Sequence, residues 1–125
     1  MNDQRKILFI DDDELFVSIY ANAFARNGFT VCSELNGTAG IGAARAEKPD
    51  VILLDLSMSE TDGFATLEQL KSDGATKDIP VVILSNHGLR EEIDKTRKSG
   101  AIDHLIKVKY TPEQLIARIN ALLPS

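Results

Sequence analysis

The chain has 125 residues, 43% hydrophobic and 26% charged, which suits a single domain with one core and excludes a disordered chain. The formal net charge of −5 disfavours direct binding of nucleic acid or of an anionic membrane through a broad basic surface. No apolar run approaches the roughly 20 residues of a membrane span. The single cysteine, Cys32, excludes an intrachain disulfide, so we expect a cytoplasmic protein.

The first part of the chain alternates apolar runs with helix-compatible segments. Residues 7–10 are an unbroken apolar run, typical of a strand buried on both faces, and Asp13 and Glu14 suit the start of a helix. Residues 29–35 alternate between apolar and polar and predict an edge strand, and the Ala-rich residues 38–47 predict a second helix. The first helix repeats apolar residues at helical spacing: Leu15, Ile19 and Ala23, with Phe16, Tyr20 and Phe24.

The second part continues the alternation. Residues 51–54 and 81–84 are two further apolar runs, and each precedes a segment with helical character. Residues 102–106 are mixed in polarity and predict a second edge strand. The last helix begins at a capping box, residues 111–114, and carries one apolar stripe.

Strand and helix thus alternate five times, which predicts an α/β fold with a doubly wound, five-stranded parallel sheet and five helices on its two faces. With the apolar strands central and the mixed strands at the edges, right-handed crossovers give 2-1-3-4-5 as the simplest order. The winding reverses between strands one and three, and ligand sites form at such a point, outside the carboxyl ends of the strands. The polar side chains at those ends are Asp11, Asp12, Asp13, Asp55, Ser85 and Lys107.

Such a cluster suits phosphoryl transfer. Two carboxylates about 4 Å apart repel by roughly 4 kcal/mol at an effective dielectric near 20, and Mg²⁺ relieves that repulsion while binding phosphate oxygens. Lys107 offers a point charge, and Ser85 a hydroxyl, to a phosphate. Asp55 is then a candidate nucleophile, because carboxylates form aspartyl phosphates. The predicted reaction is phosphoryl transfer to Asp55, followed by hydrolysis.

In these residues the chain resembles the receiver domain of the two-component response regulators, over essentially its whole length. The pair Asp11-Asp12, the segment from Asp55 to Gly63, Ser85 and Lys107 all lie at the family's spacing. The resemblance implies a flavodoxin-like fold and a single, chemotaxis-regulator-like receiver domain over residues 1–125. We expect no output domain in this chain.

The resemblance also implies a mechanism and partners. A sensor histidine kinase or a histidine phosphotransfer protein would donate the phosphoryl group, and a downstream protein would bind the face formed by the fourth helix, fifth strand and fifth helix. The domain would be a phosphoacceptor with self-catalysed phosphotransfer and autodephosphorylation rather than an enzyme. The implied Mg²⁺ ligands are Asp12, Asp11 through water, a carboxylate oxygen of Asp55 and the backbone carbonyl of Ser57. The implied switch residues are Ser85, whose hydroxyl would move toward the phosphate, and His104, and Lys107 would be the ion-pair partner of the phosphate.

Four positions depart from the family's pattern. His104 stands for the usual aromatic residue, Val108 for a proline, Ser59 for another proline and Asn86 for a small residue. These departures motivate an alternative, a constitutive protein-interaction receiver with little phosphorylation-dependent switching. A phosphohydrolase on a similar scaffold would place a second aspartate where Ser57 stands. A dinucleotide-binding domain is disfavoured, because no G-x-G-x-x-G follows the first strand.

Overall fold

A computed structural model describes residues 4–58 and 62–124. In these residues the strands are β1 Lys6–Ile10, β2 Thr30–Glu34, β3 Val51–Asp55, β4 Val81–Ser85 and β5 Asp103–Ile106. The helices are α1 Glu14–Arg26, α2 Gly37–Glu47, α3 Gly63–Ser72, α4 Arg90–Lys98 and α5 Pro112–Leu122, and a 3₁₀ turn covers Lys107–Lys109. The strands form one parallel sheet in the order β2-β1-β3-β4-β5, which confirms the predicted order.

The three apolar strands lie in the centre of the sheet and are buried on both faces, as predicted. Their side chains alternate between two cores. On one face they pack against α1 and α5, and on the other against α2 and α3. No helix in the described residues is both long and apolar enough to cross a lipid bilayer.

The helix starts follow the sequence closely. Asp13 caps α1 by accepting a hydrogen bond from the Phe16 amide, and Thr111 and Gln114 form the predicted capping box of α5. Because these caps lie just beyond the carboxyl ends of the strands, helix starts and strand ends share one edge of the molecule.

The buried face of α1 differs from one expectation. Leu15 and Ile19 fit the helical spacing, but their side chains are 71% and 50% exposed. The helix instead packs its stacked Phe16–Tyr20 pair and Phe24 against the core. Helical spacing allows either stripe, and the aromatic stripe has the larger apolar area to remove from water. Leu15 and Ile19 therefore form an exposed apolar pair beside the carboxyl edge.

Gly63, the first residue of α3, lies against the backbone of Asp55 and Leu56, and Gly42 of α2 is an open position for comparison. A Cβ at Gly63 would lie 2.9 Å from the Leu56 Cα and 3.2 Å from the Asp55 carbonyl oxygen, whereas a Cβ at Gly42 would have no such neighbour within 4 Å. In an open helix position, Gly→Ala is expected to stabilise the fold by about 1 kcal/mol. We therefore expect Gly42→Ala to raise the urea midpoint and Gly63→Ala to lower it. Equal gains for both variants would contradict the close approach at Gly63.

Candidate functional site

Three carboxylates meet at the carboxyl ends of β1 and the neighbouring central strand, β3. Asp11 and Asp12 follow β1, and Asp55 ends the adjacent β3, one residue beyond the pairing of Ile10 with Leu54. One oxygen from each carboxylate lies within 4.8 Å of the others. Asp11 and Asp55 are only 1% and 2% exposed, and Asp12 lies nearer to solvent. Parallel pairing of apolar strands thus concentrates negative charge at one point.

Lys107 supplies a buried positive charge to this cluster. Its Nζ lies 2.8 Å from Asp11 Oδ2 and 3.6 Å from Asp55 Oδ2, with the side chain 9% exposed. The same ammonium lies 4.3 Å from the centre of the Phe16 ring, where a cation is attracted to the ring face. Phe16 on α1 therefore helps to hold Lys107 between the two carboxylates.

One lysine does not neutralise the site. Burial, reinforced by the charge of Asp55, raises the pKa of Asp11 to about 6, although Lys107 and the Asp13 amide oppose the shift. Three carboxylates thus share one ammonium, which leaves surplus negative charge in the cluster. Clustered carboxylate oxygens with surplus negative charge are the donor set that a hard divalent cation such as Mg²⁺ prefers, so the residues fit this metal.

The Asp11 shift predicts a pH dependence of stability in metal-free protein. Because the folded-state pKa lies above the unfolded value, the contribution of Asp11 is fully present below about pH 4. It is lost as the pH rises through 6, by up to about 3 kcal/mol at pH 7. We expect Asp11→Asn to remove most of this loss in urea unfolding between pH 4 and 7. Asp13→Asn, at the exposed N-cap, is the control, and an identical pH profile for Asp11→Asn and wild type would contradict the prediction.

The two oxygens of Asp55 have different surroundings. Oδ1 accepts a hydrogen bond of 2.9 Å from the Ser57 amide, and Oδ2 faces Lys107. The Leu56 amide donates to the Leu84 carbonyl at 2.8 Å, which anchors the start of the loop to β4. The backbone of Ser57 therefore lies beside the carboxylate cluster. Ser59, where the family has a proline, lies outside the described residues.

Ser85 ends β4, and its hydroxyl meets two histidine residues. It lies 2.5 Å from the His87 carbonyl oxygen and 2.8 Å from His104 Nε2. His104 is 8% exposed, and its Nδ1 lies 3.0 Å from the Thr96 hydroxyl on α4. Sequence reasoning missed Thr96. The signal was present, because positions 89, 93 and 96 follow helical spacing and place Thr96 on the inner face of a helix with few apolar residues.

Asp103, beside His104, joins three elements. This buried β5 carboxylate accepts hydrogen bonds from Arg118 of α5 at 2.5 and 3.0 Å and lies 3.8 Å from Arg97 of α4. Its other contact is the His104 amide, at 2.8 Å. Two arginines and a buried aspartate therefore tie α4, β5 and α5 together. Val108, where the family has a proline, lies in the 3₁₀ turn and is 84% exposed.

Comparison with known families identifies this arrangement. The family model of the response regulator receiver domain matches residues 7–120. The chain belongs to this family. The receiver domain is thus a component of two-component signalling, which confirms the resemblance drawn from the motifs.

Individual relatives agree with the family. The receiver domain is 36% identical to the protein PilH of Pseudomonas aeruginosa over 120 residues, covering 94% of this chain and 97% of PilH. It is 35% identical over 118 residues to the transcriptional regulator RpaA of Synechocystis, covering 94% of this chain. That match spans only 48% of RpaA, about half its length. The Vibrio cholerae chemotaxis regulator CheY4 shares the fold, with a TM-score of 0.88 at 22% identity, covering 96% of this chain and 99% of CheY4.

Proposed function

We propose that this receiver domain accepts a phosphoryl group on Asp55, in a Mg²⁺-dependent reaction, from a phosphohistidine of a sensor histidine kinase or a histidine phosphotransfer protein. The observation that carries the proposal is the surroundings of Asp55: a buried carboxylate with one oxygen held by the Ser57 amide and the other 3.6 Å from the Lys107 ammonium. A carboxylate positioned in this way is a nucleophile facing a cation suited to phosphoryl oxygens.

The transfer forms a bond between an Asp55 oxygen and phosphorus and breaks the bond between phosphorus and the donor's imidazole nitrogen. The imidazole leaves with the bonding electron pair and takes up a proton, so it departs as a neutral ring. Lys107 moves from its carboxylate partners to a phosphoryl oxygen and offsets the incoming charge. Asp12, Asp11 through water, a carboxylate oxygen of Asp55 and the Ser57 carbonyl would hold Mg²⁺, which would supply positive charge to the phosphoryl oxygens.

Loss of the phosphoryl group follows by attack of water on the same phosphorus, which restores the Asp55 carboxylate and releases inorganic phosphate. Ser85 is proposed as the switch hydroxyl that turns toward the phosphoryl group. The domain is therefore a phosphoacceptor that catalyses its own modification, with no separate substrate turned over. We place this chemistry in the cytoplasm, where histidine kinases present their phosphohistidines.

An exposed apolar patch beside the site suits a protein donor. Leu15 and Ile19 of α1 are exposed, as is Val108, and the contact of Lys107 with the Phe16 ring brings the turn that carries Val108 alongside α1. We define Leu15, Ile19 and Val108 as the rim patch. Because α1 and this turn carry Phe16 and Lys107 of the site, we propose that a donor domain that reaches Asp55 contacts the rim patch.

The rim patch predicts that substitutions in it slow phosphotransfer from a protein donor but not from a small phosphodonor. We expect Leu15→Ser and Ile19→Ser to slow phosphotransfer from a phosphorylated protein donor roughly tenfold, since each removes more than 1 kcal/mol of apolar contact. Labelling by a small phosphodonor should be unchanged. Ile102→Ser is the matched control, because Ile102 is 42% exposed and directly precedes β5, at the opposite end of the strands from the carboxylate cluster. Equal slowing with both kinds of donor would contradict a docking role.

The downstream partner is proposed to bind the face of α4, β5 and α5, where Asp103 links Arg97 and Arg118. The alternative of a constitutive interaction module differs in one measurable respect: partner affinity and amide spectra would not change on phosphorylation. The organisation as a single receiver domain over residues 1–125 stays a prediction.

Intact-mass spectrometry tests the central proposal. Incubation with a small phosphodonor and Mg²⁺ is expected to add one phosphoryl group, located by peptide mapping to the segment that contains Asp55. Chelation of Mg²⁺ should suppress the reaction strongly. Absence of the modification in Mg²⁺, or its presence on another segment, would refute the assignment.

A further inference from the structure

A chain of hydrogen-bonding contacts runs from the end of β4 to α4. The Ser85 hydroxyl lies 2.5 Å from the His87 carbonyl oxygen and 2.8 Å from His104 Nε2. On the other side of the ring, Nδ1 lies 3.0 Å from the Thr96 hydroxyl, which lies 3.0 Å from the Ile93 carbonyl oxygen. The chain contains four contacts, and both ends are carbonyl oxygens, which can only accept.

Four contacts need four hydrogens. Ser85, Thr96 and a neutral imidazole contribute one each, so with neutral His104 one contact has no hydrogen. The imidazolium carries two N–H groups and supplies the missing hydrogen. In that form Nε2–H donates to Ser85 and Nδ1–H to Thr96, and both hydroxyls donate to their carbonyls.

The charges around the ring oppose one another. Burial lowers the pKa of His104; Glu92 of α4 and Asp103 of β5 raise it, and Arg97 of α4 lowers it. Arg118 of α5 shares the charge of Asp103, which weakens its support for an imidazolium. The lowered pKa keeps the ring neutral at neutral pH, so the unphosphorylated domain holds a contact chain that lacks one hydrogen.

We propose that His104 is a positioning residue for Ser85 that takes up a proton from solvent when Ser85 turns its hydroxyl to a phosphoryl group on Asp55, while Thr96 of α4 holds the ring in place. The inference rests on the proposed phosphorylation of Asp55. Ser85 has one hydrogen. Once a phosphoryl oxygen receives it, an unprotonated Nε2 would face only oxygen lone pairs, whereas the imidazolium donates to the Ser85 oxygen and leaves the Thr96 bond to Ile93 intact.

A neutral route also exists and gives the competing outcome. If the hydrogen of the ring moved from Nδ1 to Nε2, Nδ1 would have to accept from Thr96, and Thr96 would give up its bond to the Ile93 carbonyl. That route breaks a helix contact and takes up no proton. The added negative charge of the phosphoryl group favours the cationic route over this one.

The test is a pH titration of the whole chain labelled uniformly with ¹⁵N, in which NMR follows the histidine rings and the backbone amides with and without Mg²⁺ and beryllium fluoride, a phosphoryl mimic. The Ser57 amide signal reports whether the mimic occupies the Asp55 site. We expect the proton affinity of His104 to rise roughly tenfold, which moves its midpoint by about one pH unit. The titration without beryllium fluoride is the reference.

Variants of Thr96 separate positioning from packing. Thr96→Val should reduce the gain in proton affinity, and Thr96→Ser should retain it. Thr76→Val is the matched control, because Thr76 is a buried threonine whose hydroxyl donates to the Leu70 carbonyl, away from any histidine. It is expected to lose similar stability with His104 unchanged.

Each outcome is decisive. If the Ser57 signal moves and the His104 midpoint does not, the proposed proton uptake is wrong. It is also wrong if the ring hydrogen moves from Nδ1 to Nε2 without uptake of a proton. In both cases the phosphoacceptor proposal stands. If the Ser57 signal itself does not move, both the proposed function and this inference fail.

Discussion

Asp55→Asn is expected to abolish phosphoryl incorporation from both a small phosphodonor and a protein donor. The asparagine oxygen can still accept the hydrogen bond that the Ser57 amide donates at 2.9 Å, so the loop keeps its anchor. The amide has no negative charge and is a poor nucleophile toward phosphorus, which removes the reacting group and one metal ligand together. The measurement is the phosphorylated fraction by intact-mass spectrometry at matched protein and Mg²⁺ concentrations.

Asp62→Asn is the control for this loss. Asp62 caps α3 at the end of the same loop, and asparagine caps a helix about as well as aspartate. We expect the Asp62→Asn protein to be labelled like wild type. Labelling of the Asp55→Asn protein to the wild-type extent would show that another residue accepts the phosphoryl group.

Lys107→Met is expected to have the largest effect on stability. Methionine keeps much of the apolar stem against Phe16 but leaves Asp11 and Asp55 buried without their cation. Removing one partner of a buried ion pair costs about 3 kcal/mol or more, so the free energy of unfolding should fall by that amount at pH 7 without metal. The loss should shrink at pH 5, where Asp11 is protonated, and on addition of Mg²⁺, which replaces the missing charge.

The neighbouring Lys109→Met provides the comparison. Lys109 is exposed in the same turn, and its replacement should change the unfolding free energy by less than about 0.5 kcal/mol. Urea unfolding of both variants at pH 5 and 7, with and without Mg²⁺, measures the effect. If the Lys107→Met protein were as stable as the Lys109→Met protein in all four conditions, the cation would not compensate the buried carboxylates.

The strand order could be predicted because the burial of a strand determines its pattern of apolar and polar residues. A strand buried on both faces, such as β3, contains no polar residue before its end, and an edge strand such as β2 does. Once the order is known, the convergence of Asp11 and Asp55 follows from parallel pairing. The sequence could not fix the rotation of α1, since two overlapping apolar stripes satisfy the same period and only packing selects the aromatic one.

The contacts of His104 were beyond sequence reasoning for another reason. A single histidine in an edge strand is most often solvated, and its burial depends on which side chain α4 turns inward. Nothing in a one-dimensional pattern specifies that Thr96 meets Nδ1 while Ser85 meets Nε2. The proposed proton uptake depends on which atoms share hydrogen bonds, and only the three-dimensional structure shows these contacts.

The thin packing of α4 has a consequence for how a signal leaves the molecule. Among the nine residues of this fully described helix, only Thr96 is buried, whereas α5 buries Leu115, Ile116 and Ile119. A net hydrogen bond contributes about 1 kcal/mol, which changes a two-state population roughly fivefold. This free energy is small compared with the stabilisation that α5 gains from its three buried apolar side chains. It is large compared with the stabilisation that α4 gains from packing, because α4 buries only Thr96. We therefore expect a change in the hydrogen bonds around Thr96 to alter the stability of α4 more than that of α5.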